Sequence, residues 1–326
     1  MHRATMSWKS LFHAVGLGSV LLGASTALAQ PIEPPGQTAK LIREVERAQV
    51  IDLSHTWDEK SPVLGLNPPY SMSVPFTHAN TRGSFGDGGQ ISFASDSMQW
   101  SGQHGAPSID AVGHIGHNGQ LYGGVDADAA TSDPRGLGRS GVGADLAIDH
   151  YPMDLLTNRG VMLDVARYLM GSDEPLPPGF EITAQHLKET AARQKVELRP
   201  GDTVFIRTGW GQHFKNNPEL YKGTDSPGPG LDAAKYLLEK GARVVGADTL
   251  TFEKRPAVVY IPQLQLFPVH LLLVPDNGIY IIENVQLEDV SQARAYEFVA
   301  VVPPLKVLGA TGSALRAFAL VGRGGN

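Results

Sequence analysis

Apolar residues Leu41 and Val45 recur at helical spacing, which predicts a helix over 38–48. A short buried strand, Val50-Ile51-Asp52-Leu53, follows it. From 61 to 89 the periodicity stops: Pro, Gly, Asn and Ser dominate, with Tyr70, Phe76 and Phe85 among them and Trp57 just before. A loop of that length inside a compact domain points to binding rather than to mere connection. Over 90–99 the pattern alternates, with Ile91, Phe93 and Met98 apolar, and predicts a strand. Further on, 160–165 reads as a buried strand. The stretch 183–194 reads as a helix, with Thr183 as N-cap and Leu187 and Ala191 on one face. Strands are expected at 202–208, 244–248, 279–283 and 297–301, and a helix at 231–240, stopped by Gly241. Strand–helix–strand alternation with many short strands indicates a mixed α/β fold.

Composition narrows the function classes. The chain has 326 residues, 42% apolar and 18% charged, as in ordinary globular domains. Its 27 basic against 33 acidic side chains give a net charge of −6, with no basic run. Nucleic acid is therefore excluded as an expected partner, since neutralising phosphates takes clustered Lys and Arg. With no cysteine there is no disulfide, thiolate ligand or thiol nucleophile. At the N-terminus, Arg3 and Lys9 precede an apolar stretch from Leu11 to Leu28 that closes on Ala27-Leu28-Ala29. This predicts a signal peptide over 1–29 and export to a periplasm, with no stable membrane insertion after cleavage. An uncleaved anchor is the alternative, opposed by the Gly, Ser and Ala content and the small-x-small ending. A lead-in and helix over 30–49 then precede a single domain over 50–326, with no internal repeat.

The densest chemistry lies in Gln103-His104-Gly105-Ala106-Pro107-Ser108-Ile109-Asp110-Ala111-Val112-Gly113-His114. Imidazoles and a carboxylate are what a divalent transition metal requires. Gly105, Pro107 and Gly113 oppose a helix here and favour a tight loop or irregular strand. From residue types alone, His104, Asp110 and His114 are either a metal or catalytic set or solvated loop polars. Downstream, His270 adjoins Leu271-Leu272-Leu273, and Glu283 ends an apolar strand. A carboxylate in so apolar a strand needs a cation or several donors. Phe76, Phe85 and Trp210 are candidates for a substrate pocket or, equally, for core packing.

At these residues the chain resembles the metal-dependent cyclase-family hydrolases, which include kynurenine formamidases and isatin hydrolases. The family signature His-x-Gly-Thr-His-x-Asp-x-Pro-x-His aligns without gaps on His104–His114. The resemblance continues through Asp52-Leu53-Ser54-His55, the segments 159–164, 199–202, 207–210 and 246–249, and Glu283-Asn284. It implies an α/β fold with a mixed, barrel-like sheet flanked by helices, and assembly into a homo-oligomer. It also implies hydrolysis of a small cyclic amide, lactone or formamide, with a divalent metal, Mn or Zn, supplying hydroxide near neutral pH. Carried over residue by residue, His104 and Asp110 are metal ligands and His114 is the catalytic acid or base. His270 and Glu283 complete the site, Glu283 as ligand and catalytic group.

Departures from the signature matter. Ser108 stands where the family has its second His, a ligand position; Ala106, Pro107 and Val112 replace Gly, Thr and Pro. A serine hydroxyl is a poor neutral ligand, so the metal site is expected to be weakened unless water or His117 fills in. The competing reading is a non-catalytic periplasmic small-molecule binding protein on the same scaffold. A serine-nucleophile mechanism through Ser108 lacks the Gly-x-Ser-x-Gly context.

Overall fold

A computed structural model describes residues 36–63, 70–103, 105–132, 145–260 and 264–322. The chain divides into two compact units, residues 1–43 and 44–326. The described part of the first is the opening of the helix Gly36–Arg47. The leader expected over 1–29, with its Ala27-Leu28-Ala29 ending, lies outside the described residues, as does His104. Among the described residues, no helix is long and apolar enough to cross a membrane.

The second unit is built on a nine-stranded mixed sheet. Its order is Gln49–Asp52, Phe318–Val321, Glu297–Val301, Thr157–Asp164, Thr203–Arg207, Val244–Ala247, Tyr280–Glu283, Ser108–Asp110 and Gly312–Ala314. The strands from Thr157–Asp164 to Tyr280–Glu283 run parallel, and antiparallel strands flank them on both sides. Past Gln49–Asp52 the chain goes on bonding: Leu53 N–H donates to Ala317 O at 3.0 Å and His55 N–H to Ala106 O at 2.7 Å. These bonds bring the two ends of the sheet together, and it curls into the half-barrel expected of this fold class.

Side-chain alternation divides the core. Met162, Phe205, Val244, Ile282 and Phe298 pack on one face of the sheet. Val161, Leu163, Val204, Ile206, Val245 and Ile281 pack on the other, beneath Leu187, Ala191, Leu237, Val269 and Leu273 from the helices. Strands covered on both faces read as continuous apolar runs, which is why they stand out in the sequence. The helix expected at 183–194 is Ala184–Gln194, and Thr183 caps it in a capping box with His186.

The expected loop over 61–89 differs. It contains the strand Ser71–Phe76, paired antiparallel with Ser95–Gln99, and a helical turn at His78–Thr81. The strand expected over 90–99 is confined to its second half. Every residue of both strands is exposed, so no buried face imposes an alternating pattern for sequence reading to detect.

Candidate metal centre

The parallel strands all end on one side, and polar residues collect there: Asp164, Arg207, Asp248 just past Val244–Ala247, and Glu283. Carboxyl ends of parallel strands are where α/β sheets place their ligands. Beside them the antiparallel strand Ser108–Asp110 sets Ser108 opposite Glu283 and Asp110 opposite Ile281. Directly opposed residues share a face. Asp110, Ser108 and Glu283 therefore turn toward the helical side of the sheet, whereas Ile109 packs into the opposite core.

The short helix Pro268–Leu273 supplies the third group. Pro268 occupies its first turn, Val269 and Leu273 anchor it in the core, and His270 is buried between them. His270 Nε2 lies 3.4 Å from Glu283 Oε1 and 3.9 Å from Asp110 Oδ2. One ligand atom from each of Asp110, His270 and Glu283 falls within 4.8 Å of the others, and all three residues are buried. Asp110 Oδ1 is buried without a hydrogen-bond partner among the described residues. An orphaned carboxylate oxygen in a dry site is costly unless a cation meets it.

Glu253, absent from the expected set, orients the histidine. Its carboxylate accepts from Val269 N–H at 3.2 Å, His270 N–H at 3.0 Å and His270 Nδ1–H at 2.5 Å. Acidic groups suit the first turn of a helix, where backbone N–H groups lack partners. By taking the Nδ1 proton, Glu253 leaves Nε2 facing Asp110 and Glu283, the second-sphere arrangement common around metal-bound imidazoles. No periodicity marks it; the only sequence signal is an acid embedded between Phe252 and the Lys254-Arg255 pair.

Electrostatics point the same way. Burial, reinforced by the Asp110 charge, pushes the Glu283 carboxyl up to about 8. Burial works to lower the His270 pKa, but hydrogen bonds to Glu253 and Glu283 outweigh it and hold the value well above the usual range. Three carboxylates thus surround one imidazole out of contact with solvent. A divalent cation with a neutral imidazole balances that charge better than one proton does, and the donor set of imidazole plus carboxylates suits Zn or Mn. The residues present fit a divalent metal.

Of the remaining expected residues, Ser108 shares the ligand face and the other described ones lie outside the cluster. Ser108 is fully buried on the ligand face, and its hydroxyl donates to Gln103 O at 3.0 Å. His114 is exposed, on the turn after Asp110 where its N–H donates to Ala111 O. His117 lies outside the cluster and pairs with Asp276 at 2.9 Å. Trp210 is buried at 1% exposure with Phe214, Tyr221 and Leu250, its indole N–H donating to Tyr221 O. Phe76 and Phe85, at 50% and 65% exposure, flank Phe93 on the 71–99 arm. Asp248 accepts from Thr208 and from Gly211 N–H, and so fixes the turn that carries Trp210. Asn284 accepts from Tyr221 Oη and donates to Gly105 O, tying the strand end to the loop before Ser108. Gly105 is required there: a Cβ would sit 2.2 Å from Pro107 O and 2.7 Å from Ala314 Cα.

A model of the Cyclase family matches residues 51–254. Isatin hydrolase from Roseibium aggregatum is 27% identical over 293 residues, which are 88% of this chain and 96% of that protein. Among solved structures, a novel cyclase is 28% identical with a TM-score of 0.71, over 86% of this chain and 90% of that one. An isatin hydrolase bound to the product analogue thioisatinate shares the fold at 22% identity and a TM-score of 0.64, over 88% and 97% of the two chains. The family match ends at Lys254, so His270 and Glu283 enter the site on geometry. These likenesses support a hydrolase.

Proposed function

Because this chain belongs to the Cyclase family, we propose that it is an exported, metal-dependent hydrolase that opens a small cyclic amide or lactone or cleaves a formamide. The observation that carries this reading is the convergence of Asp110, His270 and Glu283 in a buried cluster, with Asp110 Oδ1 unpartnered among the described residues. Asp110, His270 and Glu283 would hold the ion, Mn or Zn. When bound, such an ion supplies Lewis acidity, lowering the pKa of water toward about 7 and polarising a carbonyl.

The chain's own groups do the rest. Glu253 fixes the His270 tautomer and ring orientation. Burial of the cluster excludes bulk water and strengthens every charge interaction inside it. The resemblance gives proton transfer to the leaving nitrogen or oxygen to His114, exposed four residues beyond Asp110; general acid–base help of this kind is worth about 10²–10⁴-fold in rate. The isatin hydrolase likeness directs the first substrate trial to isatin. Export and a homo-oligomeric state belong to the same proposal. Met72, Val74, Phe76 and Met98 on the 71–99 arm are all near half-exposed, and a second copy would cover them.

The test is turnover of isatin, formanilides and small lactones by the full-length protein loaded in turn with Mn and Zn. Metal-dependent hydrolysis of one class, abolished in Glu283→Gln and reduced in His114→Ala, supports the reading. Saturable binding without turnover under either metal would leave the binding-protein reading in its place.

A further inference from the structure

A polar cavity lies on the Asp164 side of Arg207 at the strand ends, apart from the Asp110–His270–Glu283 cluster. It measures about 490 Å³, within the range of small-ligand sites, and Arg167, Tyr168, Arg193, Gln194, Arg294 and Tyr296 line it. Asp164 also reaches its wall, but that carboxylate is already committed: Arg207 donates to Oδ1 at 2.8 Å and Ser291 Oγ to Oδ2 at 2.5 Å. Arg167 is committed as well, to Asp164, Ser291 and Asp173.

Arg193 and Arg294 are different. Neither guanidinium has a hydrogen-bond or ion-pair partner among the described residues. Glu189 stands one helical turn before Arg193, the spacing at which such pairs ordinarily form. Its two oxygens are instead taken by Gln185 Nε2 at 2.7 Å and Tyr168 Oη at 3.0 Å. Gln194 also lines the cavity, and both its amide atoms are buried without a partner among the described residues. Among buried polar groups it is the rare kind that needs an explanation.

We propose that this cavity is a binding site for a small oxyanion, a carboxylate or phosphate group, held by the Arg193 and Arg294 guanidiniums. Guanidinium forks match the geometry of both anions. Nothing in this assignment depends on the metal centre or on the hydrolase reading.

The experiment is calorimetric titration of the full-length protein as purified with inorganic phosphate and, separately, with succinate, at low ionic strength. Both arginines are exposed, so Arg193→Gln/Arg294→Gln is expected to keep the wild-type melting temperature. The expected result is saturable binding of at least one probe with Kd at or below about 1 mM. The double variant should weaken it at least tenfold, whereas Asp110→Asn, which removes a metal-centre carboxylate, should leave it intact. The tighter probe then identifies the group recognised. Absence of saturable binding for both probes, equal binding by the double variant, or loss in Asp110→Asn would overturn the site.

Discussion

Replacing Glu253 by Gln changes charge while keeping volume, and it isolates how the imidazole is held. The carboxylate accepts bonds from Val269 N–H, His270 N–H and His270 Nδ1–H. A glutamine has one acceptor oxygen. Turned toward His270 it keeps two of the three bonds and points its NH₂ at the Val269 N–H, leaving buried donors face to face. One unsatisfied buried donor costs about 1–3 kcal/mol of stability. The imidazole also loses a negative partner that makes its free nitrogen more basic. Outer-sphere partners of this type are worth about 10–100-fold in metal affinity, or about 1.4–2.7 kcal/mol. The assay is competition for Zn and Mn against a chromophoric chelator, with thermal unfolding in parallel. Glu253→Asp, which keeps the charge but shortens its reach, serves if the glutamine variant does not fold. Metal affinity within twofold of wild type in a folded variant would refute the positioning role.

Ser108→His restores an imidazole opposite Glu283 at a fully buried position. Metal affinity should rise about tenfold while overpacking lowers stability by about 1–3 kcal/mol, read from titration and urea unfolding. Unchanged affinity would show that this position does not face the ion. His55, stacked on Phe214 at 4.1 Å, has its pKa lowered to about 4 by burial, then by the Lys215 charge. Because the unfolded chain binds that proton first, stability falls as pH drops from about 6.5 toward about 4. The loss at pH 5 is about 2 kcal/mol at about 1.4 kcal/mol per unit, and His55→Phe should flatten that slope. Arg207→Met strands Asp164 and Glu288, both bonded to a guanidinium that is wholly buried. Unfolding in urea should show a loss of about 3–5 kcal/mol.

How much of this was legible depended on burial. Strands such as Thr157–Asp164 and Thr203–Arg207 are covered on both faces, so their apolar runs announced them within a few residues. The Ser71–Phe76 and Ser95–Gln99 arm has no buried face, and its strand character left no periodic trace. Asp110 was legible from the family signature, Glu283 from its apolar strand and His270 from the wider resemblance, but their meeting was not. It depends on the register of Ser108–Asp110 against Tyr280–Glu283 and on a six-residue helix too short to show a period. Glu253 was missed because its role is set by three donors that a later segment brings to it. Trp210 took the core alternative: an indole among Phe214, Tyr221 and Leu250 has the same sequence signature as one on a pocket wall.

Metal content per chain decides whether Asp110, His270 and Glu283 hold an ion. It is measured by elemental analysis of protein purified without chelators or a histidine tag, beside Asp110→Asn and Glu283→Gln prepared in the same way. Near-stoichiometric Zn or Mn is expected in the wild type, with loss of most of it in both variants. A wild-type protein that stays metal-free after incubation with excess Mn and Zn, or variants that keep their metal, would contradict that assignment.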